Sequence, residues 1–217
     1  MISIARLLDP EILKKNKEKW LAAYLRKQEK NPRQSPDPRQ YGHKNIRDTL
    51  RAMSFHKCFY CERKLIETED EVDHYVEVAE KPGLAFEWNN LYLCCPECNR
   101  KLPNKTILVS ECSDPCDLSE NPADHLTFDC GDIMPKASSA KGMKTVQKYH
   151  LNRISLNYLR EKELRRFCEF LLKLKERQRR DGGRPLTDAE KEAVDGFGES
   201  AHAFSLMFNA YLEKLEL

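Results

Sequence analysis

The stretch that decides the fold is residues 58–105, which read CFYCERKLIETEDEVDHYVEVAEKPGLAFEWNNLYLCCPECNRKLPNK. It contains two Cys-x-x-Cys pairs, Cys58/Cys61 and Cys95/Cys98. Two such pairs supply the four thiolates of a closed tetrahedral zinc site, and they join segments that are distant in the sequence. A small polar module has a thin hydrophobic core and needs such a link. The spacing therefore predicts a structural Zn²⁺ ion.

The remaining cysteines leave two questions open. Cys94 competes with Cys95 as a ligand, and the two-residue gap to Cys98 favours Cys95. A second metal site is conceivable downstream, but its spacing fits no strong template and free thiols are the preferred interpretation. Its four residues are Cys112, Cys116, His125 and Cys130. Cys168, which stands on an apolar helical stripe, is also interpreted as a free thiol.

Composition limits the function classes. The chain has 217 residues, 33% of them charged, with a formal net charge of +2 that does not by itself indicate nucleic-acid binding. The first residues do not resemble a signal peptide, and no window has the apolar length of a membrane span. The nine cysteines are an odd number and favour metal ligation over a disulfide framework, so a reducing cytoplasm is the expected compartment.

Hydrophobic patterning divides the chain into three expected regions and predicts a mainly helical α+β fold. Residues 1–54 form an N-terminal helical region, residues 55–110 a small ββα metal module, and residues 111–217 a loop-rich segment followed by helices. Helix signals include Asp9 as an N-cap with Pro10 at the first helical position, and Asn152 as a later cap. Predicted helices cover about 10–30, 44–54, 145–181 and a segment begun by a capping box at 187–190. Predicted strands cover 64–66, 71–75 and 126–128, and residues 88–94 are expected to form a strand or an ordered loop.

Four polar residues lie between and beside the cysteine pairs: Asp73, His74, Asn90 and Asn99. Each has an ordinary structural interpretation, because His74 alone is a common core histidine and Asn90 and Asn99 alone are common turn or helix-surface residues. Together, an imidazole, a carboxylate and an amide oxygen are the parts of a one-metal phosphodiester-cleaving site. A zinc ion that fixes the two segments against each other would let Asp73 and Asn99 share a hard divalent cation such as Mg²⁺.

These motifs, in this order and spacing, resemble the HNH, or ββα-metal, endonuclease family. The matching words are Cys58-Phe-Tyr-Cys61, Val72-Asp73-His74, Trp88-Asn89-Asn90-Leu91 and Cys95-Pro-Glu-Cys98-Asn99-Arg100-Lys101. The resemblance implies that His74 is the general base and that Asp73 and Asn99 hold a catalytic Mg²⁺ or Mn²⁺ ion. It also implies that Asn90 braces the loop bearing His74, and that the products carry 5′-phosphate and 3′-hydroxyl ends.

A narrower resemblance extends over most of residues 55–166. The Cys58-Phe-Tyr-Cys-Glu62 opening and the later Leu151-Asn152-Arg153 run are similar to the HNH subunits of the Septu and retron antiphage systems of bacteria. This resemblance implies an ATPase partner of the PtuA type and cleavage of nucleic acid during phage attack. Two alternatives stay open: a catalytically silent zinc module that binds nucleic acid or protein, and a stand-alone restriction or mobile-element nuclease.

Basic residues indicate where phosphates could lie. Arg100, Lys101 and Lys105 flank the expected metal, and a basic end of the long helix carries Arg177, Arg179 and Arg180. Such side chains neutralise phosphates without reading sequence. The middle of that helix balances its basic residues with acidic ones and is interpreted as a solvated face. No recognition-helix or stacking signature predicts sequence-specific contacts, and the choice between DNA and RNA stays open.

Overall fold

The computed structural model describes residues 1–215. Within this range the chain forms eight α-helices and two antiparallel two-stranded sheets, so the predicted α+β class with mainly helical content is confirmed. The helices are α1 (Glu11–Lys30), α2 (Pro38–Tyr41), α3 (Lys44–Ser54), α4 (Pro96–Asn99), α5 (Ala140–Lys148), α6 (Ile154–Arg180), α7 (Asp188–Asp195) and α8 (Ser205–Leu212). The strands are β1 (Glu71–His74), β2 (Leu91–Cys94), β3 (Leu126–Asp129) and β4 (Asp132–Pro135).

The N-terminal helices differ slightly from expectation. Helix α1 begins at Glu11 because Pro10 has an extended ψ of 139°, which makes Pro10 the N-cap residue in place of Asp9. Between α1 and α3 lies the short helix α2, whose first turn is capped where the Asp37 side chain accepts a hydrogen bond from the Arg39 backbone N–H at 2.9 Å. Helix α2 ends at Tyr41, and helix α3 follows with the bounds that the sequence predicts.

The β1–β2 hairpin and helix α4 form the centre of the molecule. In the antiparallel register, Asp73 pairs with Tyr92 and His74 pairs with Leu91. The first cysteine loop lies against this sheet, since the backbone N–H of Phe59 donates to the carbonyl of Leu93 at 2.9 Å. The predicted strand at 64–66 is wrong in extent, because the structure has only an isolated bridge there, at Lys64.

Between the module and helix α6 the chain contains more structure than the sequence indicates. Strand β4 was not predicted, because its four residues end at a proline and follow a turn. Its partner β3 covers the predicted strand at 126–128. Gly131 in the turn between them touches α6, where an added Cβ would lie 2.8 Å from the carbonyl oxygen of Asn157. The hairpin is therefore docked on the start of α6, and only glycine fits at this contact.

The predicted long helical region is two helices. Helix α5 ends at Lys148, the chain turns through His150 at a φ of 50°, and α6 starts at Ile154. The N-cap residue of α6 is Arg153, so the assignment of Asn152 as the cap is wrong. The reason is that the turn places Leu151 in the core and directs Arg153 towards the metal module.

The C-terminal helices close over the first cysteine loop. The capping box of Thr187 and Glu190 at the start of α7 is confirmed. Glu62, directly after Cys61, accepts a hydrogen bond from the Ser205 hydroxyl at 2.8 Å and an ion pair from Lys57 at 3.3 Å. The end of the chain thus packs against the module through buried polar contacts. Over residues 1–215, none of the helices combines the length and apolarity that crossing a membrane requires.

Candidate active site

The thiol cluster consists of Cys58, Cys61, Cys95 and Cys98. Their sulfur atoms lie within 4.8 Å of one another, and all four residues are at most 2% exposed. Cys94 is outside the cluster, because its sulfur contacts the carbonyl oxygen of Glu71 at 3.7 Å. The preference for Cys95 over Cys94 is confirmed. Four gathered thiols can hold one metal ion in a closed coordination shell.

Local backbone geometry brings the thiols together. After the first pair, the Glu62 N–H donates to the carbonyl of Cys58 at 3.0 Å, and Glu62 adopts a left-handed φ of 63°. In the second pair, Pro96 starts helix α4, and the Asn99 N–H donates to the carbonyl of Cys95 at 3.0 Å. Each Cys-x-x-Cys segment is therefore one tight turn that directs both sulfurs to the same point.

Arg153 adds positive charge to the thiol cluster. Its guanidinium donates to the sulfurs of Cys95 and Cys98, each at 3.6 Å. Four thiolates around a divalent cation carry an excess of negative charge, which a nearby guanidinium offsets. This role could not be predicted, since Arg153 is distant in the sequence from both cysteine pairs and its position follows from the turn before α6.

The downstream cysteines do not form a second cluster. Among residues 1–215, the Cys58 group is the only set of three or more potential ligands that meets the distance requirement. Cys112 instead faces the carbonyl of Leu108 at 3.5 Å, and the His125 ring contacts the Ser139 hydroxyl at 3.0 Å. Cys130 and Cys168 are exposed. These contacts agree with the interpretation of free thiols.

A surface pocket of about 340 Å³ lies beside the β1–β2 hairpin. We call it the active-site pocket. Its lining includes Tyr41, Asp73, His74, Glu77, Asn99 and Lys101. It brings together three of the four predicted catalytic residues, and Asn90 lies behind its wall. A larger cavity of about 500 Å³, whose lining includes Glu69, Glu163 and His202, contains none of the predicted catalytic residues.

The His74 ring has a defined tautomer. Its Nε2 lies 2.9 Å from the carbonyl oxygen of Ala85. Because a carbonyl only accepts, Nε2 carries the proton and Nδ1 is left as the basic nitrogen. The edge of Tyr41 packs on the ring at a centroid distance of 4.7 Å. Burial lowers the pKa of His74 despite the opposing effects of the Ala85 carbonyl and Asp73, so the ring is neutral near pH 7.

Asn90 is bonded to the loop that follows His74. Its side-chain oxygen accepts from the Val76 N–H at 2.7 Å, and its amide nitrogen donates to the carbonyls of Val76 at 3.0 Å and Leu84 at 3.2 Å. Its backbone carbonyl accepts from the Tyr75 N–H at 2.9 Å. All these bonds are to backbone groups, so Asn90 fixes the course of the chain on both sides of the pocket.

Only one oxygen of the Asp73 carboxylate accepts hydrogen bonds. Its Oδ2 accepts from the Tyr60 hydroxyl at 2.6 Å and from the Lys101 ammonium at 2.5 Å. Its side chain is 6% exposed. No donor among the described residues reaches Oδ1, and Asp73 is one of the residues that line the pocket. Tyr60 stands between the two cysteines of the first pair, so the thiol cluster and Asp73 are directly connected.

Asn99 is oriented in a similar way. Its amide nitrogen donates to the Glu71 carboxylate at 2.6 Å. Since a carboxylate only accepts, this bond fixes which end of the amide faces Glu71 and leaves Oδ1 as the free end. Asp73 and Asn99 thus each present one free oxygen, and oxygen atoms of this kind are the ligands that Mg²⁺ and Mn²⁺ prefer.

The predicted phosphate-binding residues are in three different situations. Arg100 and Lys105 are exposed beside the pocket region. Lys101 has a side chain only 4% exposed and donates to Asp73, which differs from the free cation that the sequence suggests. The group Arg177, Arg179 and Arg180 is exposed at the far end of α6, about 36 Å along that helix from Arg153. The structure therefore does not bring this group to the pocket.

Several site residues have no signal in the sequence. Tyr41 lies just before the predicted helix at 44–54 and belongs to no predicted element, and Tyr60 is one of the two residues between the predicted zinc ligands Cys58 and Cys61. Glu71 is one charged residue in a chain where such residues are abundant, and Lys101 is predicted only as a phosphate-binding cation, not as a partner of Asp73. Only the strand pairing and the turn at the second cysteine pair place these four side chains around Asp73, His74 and Asn99.

Comparison with known proteins agrees with this geometry. Residues 58–105 match the family model described as HNH endonuclease. The Septu protein PtuB of Bacillus thuringiensis is 30% identical over 116 residues, which is 52% of this chain and 44% of PtuB. The chain therefore spans less than half the length of this curated relative. The expected resemblances are confirmed at this level: residues 58–105 match the HNH endonuclease model, and the chain is similar to PtuB.

Proposed function

We propose that the chain is a metal-dependent HNH endonuclease that hydrolyses phosphodiester bonds in nucleic acid, as the nuclease component of a bacterial antiphage complex of the Septu type. The observation that carries the proposal is the active-site pocket. Asp73, His74 and Asn99 are among the residues that line it, and all three lie within the residues that match the HNH endonuclease model.

His74 is the general base of the proposed reaction. Its Nδ1 takes a proton from the attacking water, while the bond from Nε2 to the Ala85 carbonyl stabilises the ring as it becomes positive. Tyr41 packs against the ring and restricts its rotation. The lowered pKa keeps the ring unprotonated before the reaction, which a base requires.

Asp73 and Asn99 hold the catalytic divalent cation in this proposal. Their free oxygens suit Mg²⁺ or Mn²⁺, and the bonds to Tyr60, Lys101 and Glu71 fix both side chains before any ion arrives. When bound, the ion supplies charge stabilisation at the scissile phosphate and the leaving oxygen. The remaining positive charges near the pocket, Arg100 and Lys105, contact phosphates of the nucleic acid.

The thiol cluster has a structural role in the proposal. A buried set of four thiols that excludes other ligands is the donor set typical of structural Zn²⁺. The cluster ties the loop at Cys58 to the turn at Cys95, and Tyr60 extends that link to Asp73. Zinc thereby sets the position of a catalytic ligand without taking part in the reaction.

The similarity to PtuB supports the cellular part of the proposal. We infer an ATPase partner of the PtuA type and action in the bacterial cytoplasm, where phage nucleic acid is present. The alignment covers 116 residues, which is less than half of PtuB, so the partner and the target are inferred for this chain. The basic end of α6, at Arg177, Arg179 and Arg180, offers a further phosphate-binding surface away from the pocket.

The test is a cleavage assay with the full chain, purified alone and with co-expressed neighbours. The protein is incubated with a mixture of DNA and RNA and Mg²⁺, and the ends of the products are mapped. We expect 5′-phosphate and 3′-hydroxyl ends that depend on His74. A zinc-loaded, folded chain that binds nucleic acid but cleaves none, alone or with its neighbours, would contradict the enzyme and favour a silent binding module.

A further inference from the structure

Lys101 is a buried cation inside the active-site pocket. Its side chain is 4% exposed, and its ammonium donates to Asp73 Oδ2 at 2.5 Å, to the carbonyl of His74 at 2.7 Å and to the carbonyl of Tyr75 at 3.1 Å. An ammonium group has three N–H donors, and here three acceptors receive them. If the ammonium moved away, a carboxylate and two carbonyls would lose their hydrogen-bond donor, so the charge is fixed in place.

This fixed charge alters what Asp73 can bind. A carboxylate that faces an ammonium at hydrogen-bond distance has its negative charge largely compensated. The other carboxylates near the pocket, Glu71 and Glu77, interact with the side-chain amide of Asn99 and the backbone N–H of Asn104. They contribute the same field whether or not a cation stands at position 101, so the effect of Lys101 on Asp73 can be isolated.

We propose that Lys101 is a built-in counter-cation of Asp73 that makes divalent-cation binding depend on bound nucleic acid. The inference rests on the proposed function, since it concerns the same pocket. A divalent cation that reaches Asp73 in the free protein meets the repulsion of the fixed ammonium. A phosphate of the nucleic acid brings the negative charge that offsets this repulsion. Cation and nucleic acid therefore bind cooperatively, and by linkage each strengthens the binding of the other.

The cooperativity is measured with Mn²⁺, whose binding is followed by electron paramagnetic resonance. The full zinc-loaded chain carries His74→Ala in every sample, so that the nucleic acid stays intact. A short DNA duplex and an RNA of the same sequence are the two nucleic-acid probes. In this parent protein we expect at least one probe to lower the Kd for Mn²⁺ by about tenfold, within the usual range of coupling between sites.

Substitution of Lys101 tests the cause of the cooperativity. Lys101→Gln should bind Mn²⁺ alone about tenfold more tightly than the parent, and it should lose most of the effect of nucleic acid. Tyr60→Phe is the matched control, because it removes a neutral donor from the same oxygen of Asp73. In this control, nucleic acid should still lower the Kd for Mn²⁺. Zinc content and thermal unfolding are measured for every variant.

The proposal is wrong if neither probe changes the Kd for Mn²⁺ in the parent, and this result decides the matter even if Lys101→Gln does not fold. It is also wrong if a folded Lys101→Gln protein binds Mn²⁺ alone no more tightly than the parent. Asp73→Asn separates the two levels of the argument. Mn²⁺ binding that ignores Asp73 refutes the proposed metal site itself, whereas binding that needs Asp73 but ignores Lys101 refutes only this inference.

Discussion

The thiol cluster and the active-site pocket both draw on residues 58–105, but they differ in how many polar atoms they leave free. In the cluster, four buried sulfurs face one another and Arg153 donates to two of them, so no direction is left for another ligand. In the pocket, Asp73, Asn99 and His74 each use one polar atom for an internal hydrogen bond and keep another free. A closed metal site is suited to a structural role, and an open one is suited to catalysis.

The comparison also shows how the two sites depend on each other. Tyr60 belongs to the first cysteine turn, yet its hydroxyl holds the carboxylate of Asp73 at 2.6 Å. Helix α4 carries Cys98 and Asn99 as neighbours, so the same turn supplies a sulfur to the cluster and an amide to the pocket. Substitutions that disrupt the thiol cluster should therefore also disturb the active-site pocket, whereas substitutions in the pocket should leave the thiol cluster intact.

The largest expected effect is that of Cys61→Ser. Structural zinc contributes on the order of 10 kcal/mol of binding free energy, which is comparable to the whole stability of a small domain. We expect this variant to lose zinc and its cooperative thermal unfolding transition, measured by metal analysis and calorimetry. Cys94→Ser is the matched control, since Cys94 is equally buried and adjacent but outside the cluster. Normal zinc content and melting of Cys61→Ser would contradict the closed site.

His74→Ala should affect the pocket and leave the thiol cluster intact. Removing a general base lowers the rate by about 10²- to 10⁴-fold, while zinc content should stay at one ion per chain and a cooperative unfolding transition should be kept, at a temperature lowered only by the lost contacts of the ring with Tyr41 and Ala85. The measurement is single-turnover cleavage with saturating Mg²⁺, made on samples with equal zinc. Cleavage at the rate of the unaltered protein would show that the pocket is not the reaction centre.

Tyr60→Phe tests the connection between the sites. Losing a hydrogen bond to a charged group costs about 1.5–3 kcal/mol, and we expect a cleavage rate about tenfold lower with full zinc occupancy. Tyr149→Phe is the matched control. Tyr149 stacks on Tyr60 at 4.1 Å, but its buried hydroxyl has no partner among residues 1–215. Equal rates for the two variants would mean that Tyr60 does not position Asp73.

The smallest effect is a displacement of the pH profile. Burial lowers the pKa of His74, so the ring stays neutral below the ordinary histidine value of about 6.5. The base is active when neutral, and the rate should therefore fall with decreasing pH through a pKa below that value. The profile of kcat/KM is recorded at saturating divalent cation. An acidic limb at or above the ordinary value would show that His74 is not the titrating base in this environment.

The sequence predicted the parts of the site that act through spacing. The Cys-x-x-Cys pairs and the helical periodicity of α3 and α6 are local patterns with a direct structural meaning. The partners of the site residues could not be predicted in this way. Tyr41 reaches His74 because α2 folds back over the hairpin, and Arg153 reaches the sulfurs because the chain turns before α6. Both contacts depend on tertiary packing that residue type and spacing do not encode.

The most direct test of the two-site account is treatment with EDTA followed by return of Mg²⁺, with cleavage and zinc content measured in the same sample. The closed cluster should keep its zinc while the open pocket loses its cation. Cleavage should stop at once, zinc should stay bound, and added Mg²⁺ or Mn²⁺ should restore the full rate. Cleavage that persists in EDTA, or that declines only in step with the release of zinc, would contradict the two-site account.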